Sequence, residues 1–189
     1  MTKESIRHKR YISTSFFNTL YSKAQKCTQC VFVFVLMFMA HPMMANVTIP
    51  DQFTLDALDN RAQIQFTDNG QVTVLHLWAS WCGYCRREHS LWVNLIKLKH
   101  VKYISATYRE SAEKGLEFLK QFPVAFDRIT RLDDTNARLI KAKTVPDTII
   151  ICGNEIVYRH TGSMNQHQFH QIMSVKLRQA VQQCKNTSS

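Results

Sequence analysis

The chain has 189 residues, 45% of them hydrophobic and 11% aromatic, enough to bury one substantial core once any targeting segment is set aside. Its formal net charge of +10 is unevenly placed: residues 1–45 hold six basic residues against Glu4, and the remainder carries only a mild excess. The body of the chain has neither a Lys/Arg run nor a basic face interleaved with aromatics, which argues against nucleic acid as a partner.

Residues 1–26 form a polar, basic region and residues 27–45 an apolar one, unbroken from Cys30 to Ala40 before His41-Pro42-Met43-Met44-Ala45. That order is the layout of a targeting segment. The unbroken run is shorter than the roughly 20 residues of a comfortable span. Met43, however, stands where a cleavage signal wants a small residue, so an uncleaved signal anchor is favoured over a removed signal peptide. Either reading exports residues 46–189 by the positive-inside rule. Cys27 and Cys30 then read as incidental thiols of the targeting segment, since no strand-to-helix cradle surrounds them.

From Asn46 the chain reads as one domain, 46–189. Ile49 to Asn60 is an extended lead-in with Phe53, Leu55 and Leu58 packing inward. Gln63 to Phe66 is a strand, and Asp68-Asn69-Gly70 a turn. Val72, Val74, Leu75, Leu77 and Trp78 make a nearly continuous apolar run, the pattern of a strand buried on both faces. From Cys85 the period changes: Leu91, Trp92, Leu95, Ile96 and Leu98 place one apolar face on a helix.

Cys82-Gly83-Tyr84-Cys85 falls where that strand becomes that helix. Such a junction aims unpaired N–H groups and the positive end of the helix dipole at Cys82, favouring its thiolate. Cys85, nearly one turn on, can reach the Cys82 sulfur and resolve a mixed disulfide. A covalent haem site would place histidine after the second cysteine, where Arg86 stands, and zinc would need two further ligands. The pair therefore reads as a thiol redox site, with Cys82 the nucleophile and Cys85 the resolving thiol.

Beyond it, Val101 to Thr107 is a strand, Ala112 to Phe122 a helix stopped by Pro123, and Leu132 to Ile140 a short helix. Thr144-Val145-Pro146-Asp147 leads into two strands, Thr148 to Ile151 and Glu155 to Thr161, joined as a hairpin at Cys152-Gly153-Asn154. A helix over Asn165 to Val181 closes the chain. Alternating strands and helices followed by a hairpin and a helix predict a small α/β domain, a mixed sheet flanked by helices. Cys152 and Cys184 could form a bridge, but spacing alone does not establish the distance.

Trp78-Ala79-Ser80-Trp81-Cys82-Gly83-Tyr84-Cys85 with Val145-Pro146 resembles the thioredoxin superfamily. Ala57 to Asn60, Cys85 to His89 and Gly153 to Gly162 narrow the resemblance to the thiol:disulfide interchange proteins of cytochrome c maturation, the DsbE or CcmG group within the TlpA-like proteins. The resemblance implies a reductant of apocytochrome c cysteines at the inner membrane, its catalytic domain facing the periplasm. It further implies electrons from a DsbD-type membrane donor, and no cofactor or metal. Pro146 is then the cis-proline facing the disulfide, leaving Val145 to pair with substrate, while Trp81 and Tyr84 offer substrate contacts. His76, where thioredoxins carry a buried acid, and Glu88 are candidate modulators; a satisfied core histidine and a solvated helix face are the plainer alternatives.

Gly83-Tyr84 departs from the proline-containing pairs of that group and resembles disulfide isomerases of the DsbC type. Asp147 stands where the group carries glutamate. A general periplasmic isomerase or oxidant is thus the second reading. A non-catalytic apocytochrome-binding assembly factor is the third.

Overall fold

The computed structural model describes residues 47–58, 62–66, 70–95 and 97–187. The targeting segment over 1–45 with Cys27 and Cys30, the residues Asp59 and Asn60, Asp68 and Asn69 of the expected turn, and Ile96 lie outside them. Among the described residues no helix is long and apolar enough to cross a membrane.

Eight strands form one mixed sheet in the order β1-β8-β7-β4-β5-β6-β2-β3. They are β1 (Val47–Thr48), β2 (Thr54–Ala57), β3 (Ile64–Gln65), β4 (Val72–Trp78), β5 (Val101–Tyr108), β6 (Arg128–Leu132), β7 (Asp147–Cys152) and β8 (Glu155–Thr161). β4, β5 and β6 run parallel, with α1 (Gly83–Val93) and α2 (Ala112–Gln121) as their crossovers, while β7 and β8 are antiparallel additions. Every residue of β4 is buried, as its apolar run requires when strands flank it and helices cover it. Its two faces serve different cores. Leu75 and Leu77 pack with Phe53, Leu55, Ile104 and Ile149 on one side, and Val72 and Val74 with Trp92, Tyr103 and Phe169 on the other.

β6 is a strand that the sequence reading passes over. Its deepest residues are Thr130 and Leu132, and Thr130 satisfies its hydroxyl on Ser105 O at 2.9 Å. A threonine at the inward position erases the alternation that would mark a strand. The helix expected over Leu132 to Ile140 is correspondingly shorter, α3 (Asp134–Leu139), capped by Asp133.

The helix that follows the cysteine pair also ends early. α1 stops at Val93, capped at Asn94, whose Nδ2 bonds back to Ser90 O at 3.1 Å; Leu95 and Leu98 still pack against the core from beyond the helix. The last helix instead runs longer than its apolar face predicts. Asn165 and Gln168 form a reciprocal capping box, α4 (Gln166–Gln171) passes through a π-helical turn (Ile172–Lys176), and α5 (Leu177–Thr187) continues beyond Val181. That extension brings Cys184 to Cys152, and the two are disulfide-bonded with a Cα–Cα distance of 5.6 Å.

Candidate active site

β4 delivers the site, and the turn after it is held from both sides. The Glu110 carboxylate accepts the Ser80 N–H, at 3.1 Å to each oxygen, and the Ser80 hydroxyl; the Arg86 Nε donates to Ser80 O at 2.8 Å. The Cys82 N–H closes the turn on Ala79 O at 3.1 Å. Cys82 is then the N-cap of α1, its sulfur accepting the Cys85 N–H at 3.1 Å. Capping by sulfur rather than by serine or aspartate puts a thiol group itself at the positive end of the helix.

The structure is oxidised: Cys82 and Cys85 form a disulfide with a Cα–Cα distance of 5.2 Å. Both are buried, against Trp78, Phe118 and Leu119. Trp78 is a core residue, its indole N–H donating to Ser105 Oγ. Trp81 and Tyr84, by contrast, are 57% and 60% exposed, large apolar surfaces beside a buried disulfide.

The Val145–Pro146 peptide bond is cis. Val145 O lies 3.6 Å from the Cys82 sulfur, so this loop faces the cysteine pair directly. Its base is fixed by a network that no sequence motif marks. Asp147, 1% exposed, takes Arg159 Nε at 3.1 and 3.0 Å and Thr161 Oγ1 at 3.2 Å, and is also paired with Arg159 Nη2. The same guanidinium donates from Nη1 to Ile140 O at 2.7 Å, tying the segment that enters the loop to the strand that leaves it.

His76 and Glu88 do not share the exposed face of Trp81 and Tyr84. His76 lies in the sheet with its ring centroid 4.2 Å from that of Trp92, and its Nδ1 is 3.1 Å from Thr148 Oγ1. Burial, reinforced by the nearby His89, pulls its pKa down to about 3, so it is a neutral core imidazole at ordinary pH. Glu88 is not on a solvated helix face. At 1% exposure its carboxylate accepts Trp92 Nε1 at 2.9 Å and the Met164 N–H at 2.7 Å, and burial raises its pKa against the pull of those two donors. His89, half-buried beside it, donates to Phe122 O at 2.6 Å.

No family model matches the chain. The thiol:disulfide interchange protein DsbE of Escherichia coli K12 is 31% identical over 123 residues, covering 60% of this chain and 64% of that protein. Over that stretch the chain is similar to the DsbE proteins. DsbE of Vibrio cholerae is 25% identical over 138 residues, 70% of this chain and 73% of the other. Among solved structures, a candidate DsbE from Chlorobium tepidum superposes with a TM-score of 0.57 at 23% identity, covering 74% of this chain and 96% of that one. That likeness shows the fold. The alignment with the E. coli DsbE spans 64% of that relative, just under two thirds of its length.

Proposed function

We propose that this chain is a thiol:disulfide oxidoreductase of the DsbE family that reduces protein disulfides, and that the cysteines of apocytochrome c are its target during cytochrome c maturation. The observation that carries the chemistry is the placement of Cys82: N-cap of α1, beside its resolving partner, with the Val145 carbonyl 3.6 Å from its sulfur. In the reduced protein the Cys85 N–H and the helix end stabilise the Cys82 thiolate. It attacks a substrate disulfide, forming a mixed disulfide and expelling one substrate thiolate. Cys85, deprotonated, then attacks the Cys82 sulfur and expels the second. Two electrons pass to the substrate, its two thiolates take up protons from water, and the protein is left as the Cys82–Cys85 disulfide. The Val145 main chain, outside the strand pairing that begins at Asp147, is free to align an extended substrate segment.

On this reading the domain faces the periplasm, held to the inner membrane by residues 27–45 or released after cleavage, and a DsbD-type donor returns the electrons. Acid-trapping of cells followed by thiol alkylation tests it. Cys82 and Cys85 should be reduced at steady state and become oxidised when the donor is removed. If they are already a disulfide with the donor present, the reductant role is wrong. A Cys85→Ser variant should accumulate mixed disulfides with its targets, and their identification decides whether apocytochrome c is among them. Gly83-Tyr84 favours the second reading, a general isomerase or oxidant, which predicts a broad set of trapped proteins instead.

A further inference from the structure

Two segments border Cys82, residues 79–87 and 139–146, and their charges are all of one sign. They hold Arg86, Arg87, Lys141 and Lys143 and no acid. All four cations are exposed, and among the described residues none of them is paired with a carboxylate. The Arg87 guanidinium is folded back over the dipeptide between the cysteines. Its Cζ lies 4.3 Å from the Tyr84 ring centroid, and its Nη1 is 3.9 Å from where a Cβ on Gly83 would sit. Lys143 is two residues from Val145, within about 7 Å along the chain, so the opposite wall of the site is basic as well. Of the neighbouring acids, Asp147 is paired with Arg159 and Glu88 is buried in the core, while Glu110, bonded to Ser80, sets one negative charge against the four cations.

We infer that the Cys82 site prefers substrates whose reacting cysteine lies in an extended segment flanked by aspartate or glutamate. This deepens the thiol-exchange reading and rests on it. The segment would align along Val145 with its apolar side chains against the exposed Trp81 and Tyr84 rings. Its carboxylates would face Arg87 on one wall and Lys141 and Lys143 on the other. Guanidinium and ammonium groups at the rim of a site raise the encounter rate of a partner of opposite charge and suppress one of like charge.

The test uses the full chain with Cys82 and Cys85 reduced. The probes are three peptides of equal length, each with one cysteine capped as a mixed disulfide with 2-mercaptoethanol and flanked by Asp/Glu, by Ser/Gln or by Lys. Each rate is divided by the same peptide's rate with dithiothreitol, which removes the intrinsic effect of the flanks on the disulfide. The acid-flanked peptide should react about tenfold faster than the Lys-flanked one at low salt. The ratio should shrink to within about twofold at 1 M salt, where the Debye length is about 3 Å. Lys143→Glu should lower the ratio, and Lys143→Glu with Arg87→Glu should invert it. Equal rates for the three peptides, or a faster Lys-flanked one, would overturn the preference and leave thiol exchange standing. If neither the peptides nor hydroxyethyl disulfide react, thiol exchange itself fails and the preference goes with it.

Discussion

His76 keeps its place in the sheet by staying uncharged. Its folded pKa of about 3 lies below the unfolded value of 6.5, so between those values the unfolded chain takes up a proton that the folded one refuses. Its contribution to stability is complete above pH 6.5 and is lost as the pH falls toward 3, by about 1.4 kcal/mol per unit. Denaturant midpoints at pH 7 and pH 4.5 should show the natural chain losing about 2.5 kcal/mol more over that interval than His76→Leu does. Glu88 runs the other way. Its pKa is raised by burial, so what it contributes is present at acid pH and lost as the pH rises through its folded pKa. The two residues look alike in the sequence, polar side chains next to an apolar pattern, yet one is a neutral ring packed against Trp92 and the other a carboxyl that pins Met164.

At the scale of elements, the cis-proline loop depends on a side chain from the far end of the hairpin. Arg159 in β8 bonds the carbonyls of Ile140 and, at 3.4 Å, Lys141, and pairs with the buried Asp147, so it fixes both ends of the loop that faces Cys82. Arg159→Gln leaves Asp147 an uncompensated buried charge and should lower stability by about 3 kcal/mol, read as a denaturation midpoint. It should also slow reduction of a peptide disulfide more than that of hydroxyethyl disulfide, which needs no alignment along Val145. Nothing in the local pattern announces this. Cys82 and Cys85 are legible because strand, turn and helix signals converge on them, Pro146 only through the resemblance that Val145-Pro146 carries, and β4 because its apolar run is unbroken. β6 is not legible, because the residue it turns inward is Thr130. The end of α1 is not either, because the apolar spacing persists past Asn94 into a segment that packs without being helical. Arg159 is one basic residue among 24, and only its partner, half a hairpin away, gives it a role.

Across the whole molecule, the two disulfides sit at opposite ends of one strand. Cys152 pairs with Val72 at the start of β4, while Cys82 follows its end, about 20 Å away at strand spacing. Burial does not separate the two bridges, with Cys82 and Cys85 6% and 4% exposed and Cys152 and Cys184 8% and 1%, but Cys82 sits at the N-terminus of α1, which stabilises a departing thiolate. Graded dithiothreitol followed by alkylation and peptide mapping should open Cys82–Cys85 first and leave Cys152–Cys184 intact in the folded protein. Replacing both outer cysteines by alanine should lower stability by about 3 kcal/mol, with α5 becoming the first site of proteolysis.

The buried cystine also gives the protein a history. Forming it takes an oxidant: an electron pair has to leave Cys152 and Cys184 during or soon after the docking of α5 on the sheet. A protein built this way begins life as the client of another redox agent. Cells deprived of that agent would accumulate a chain with a loosened C-terminus and a Cys82 site chemically untouched.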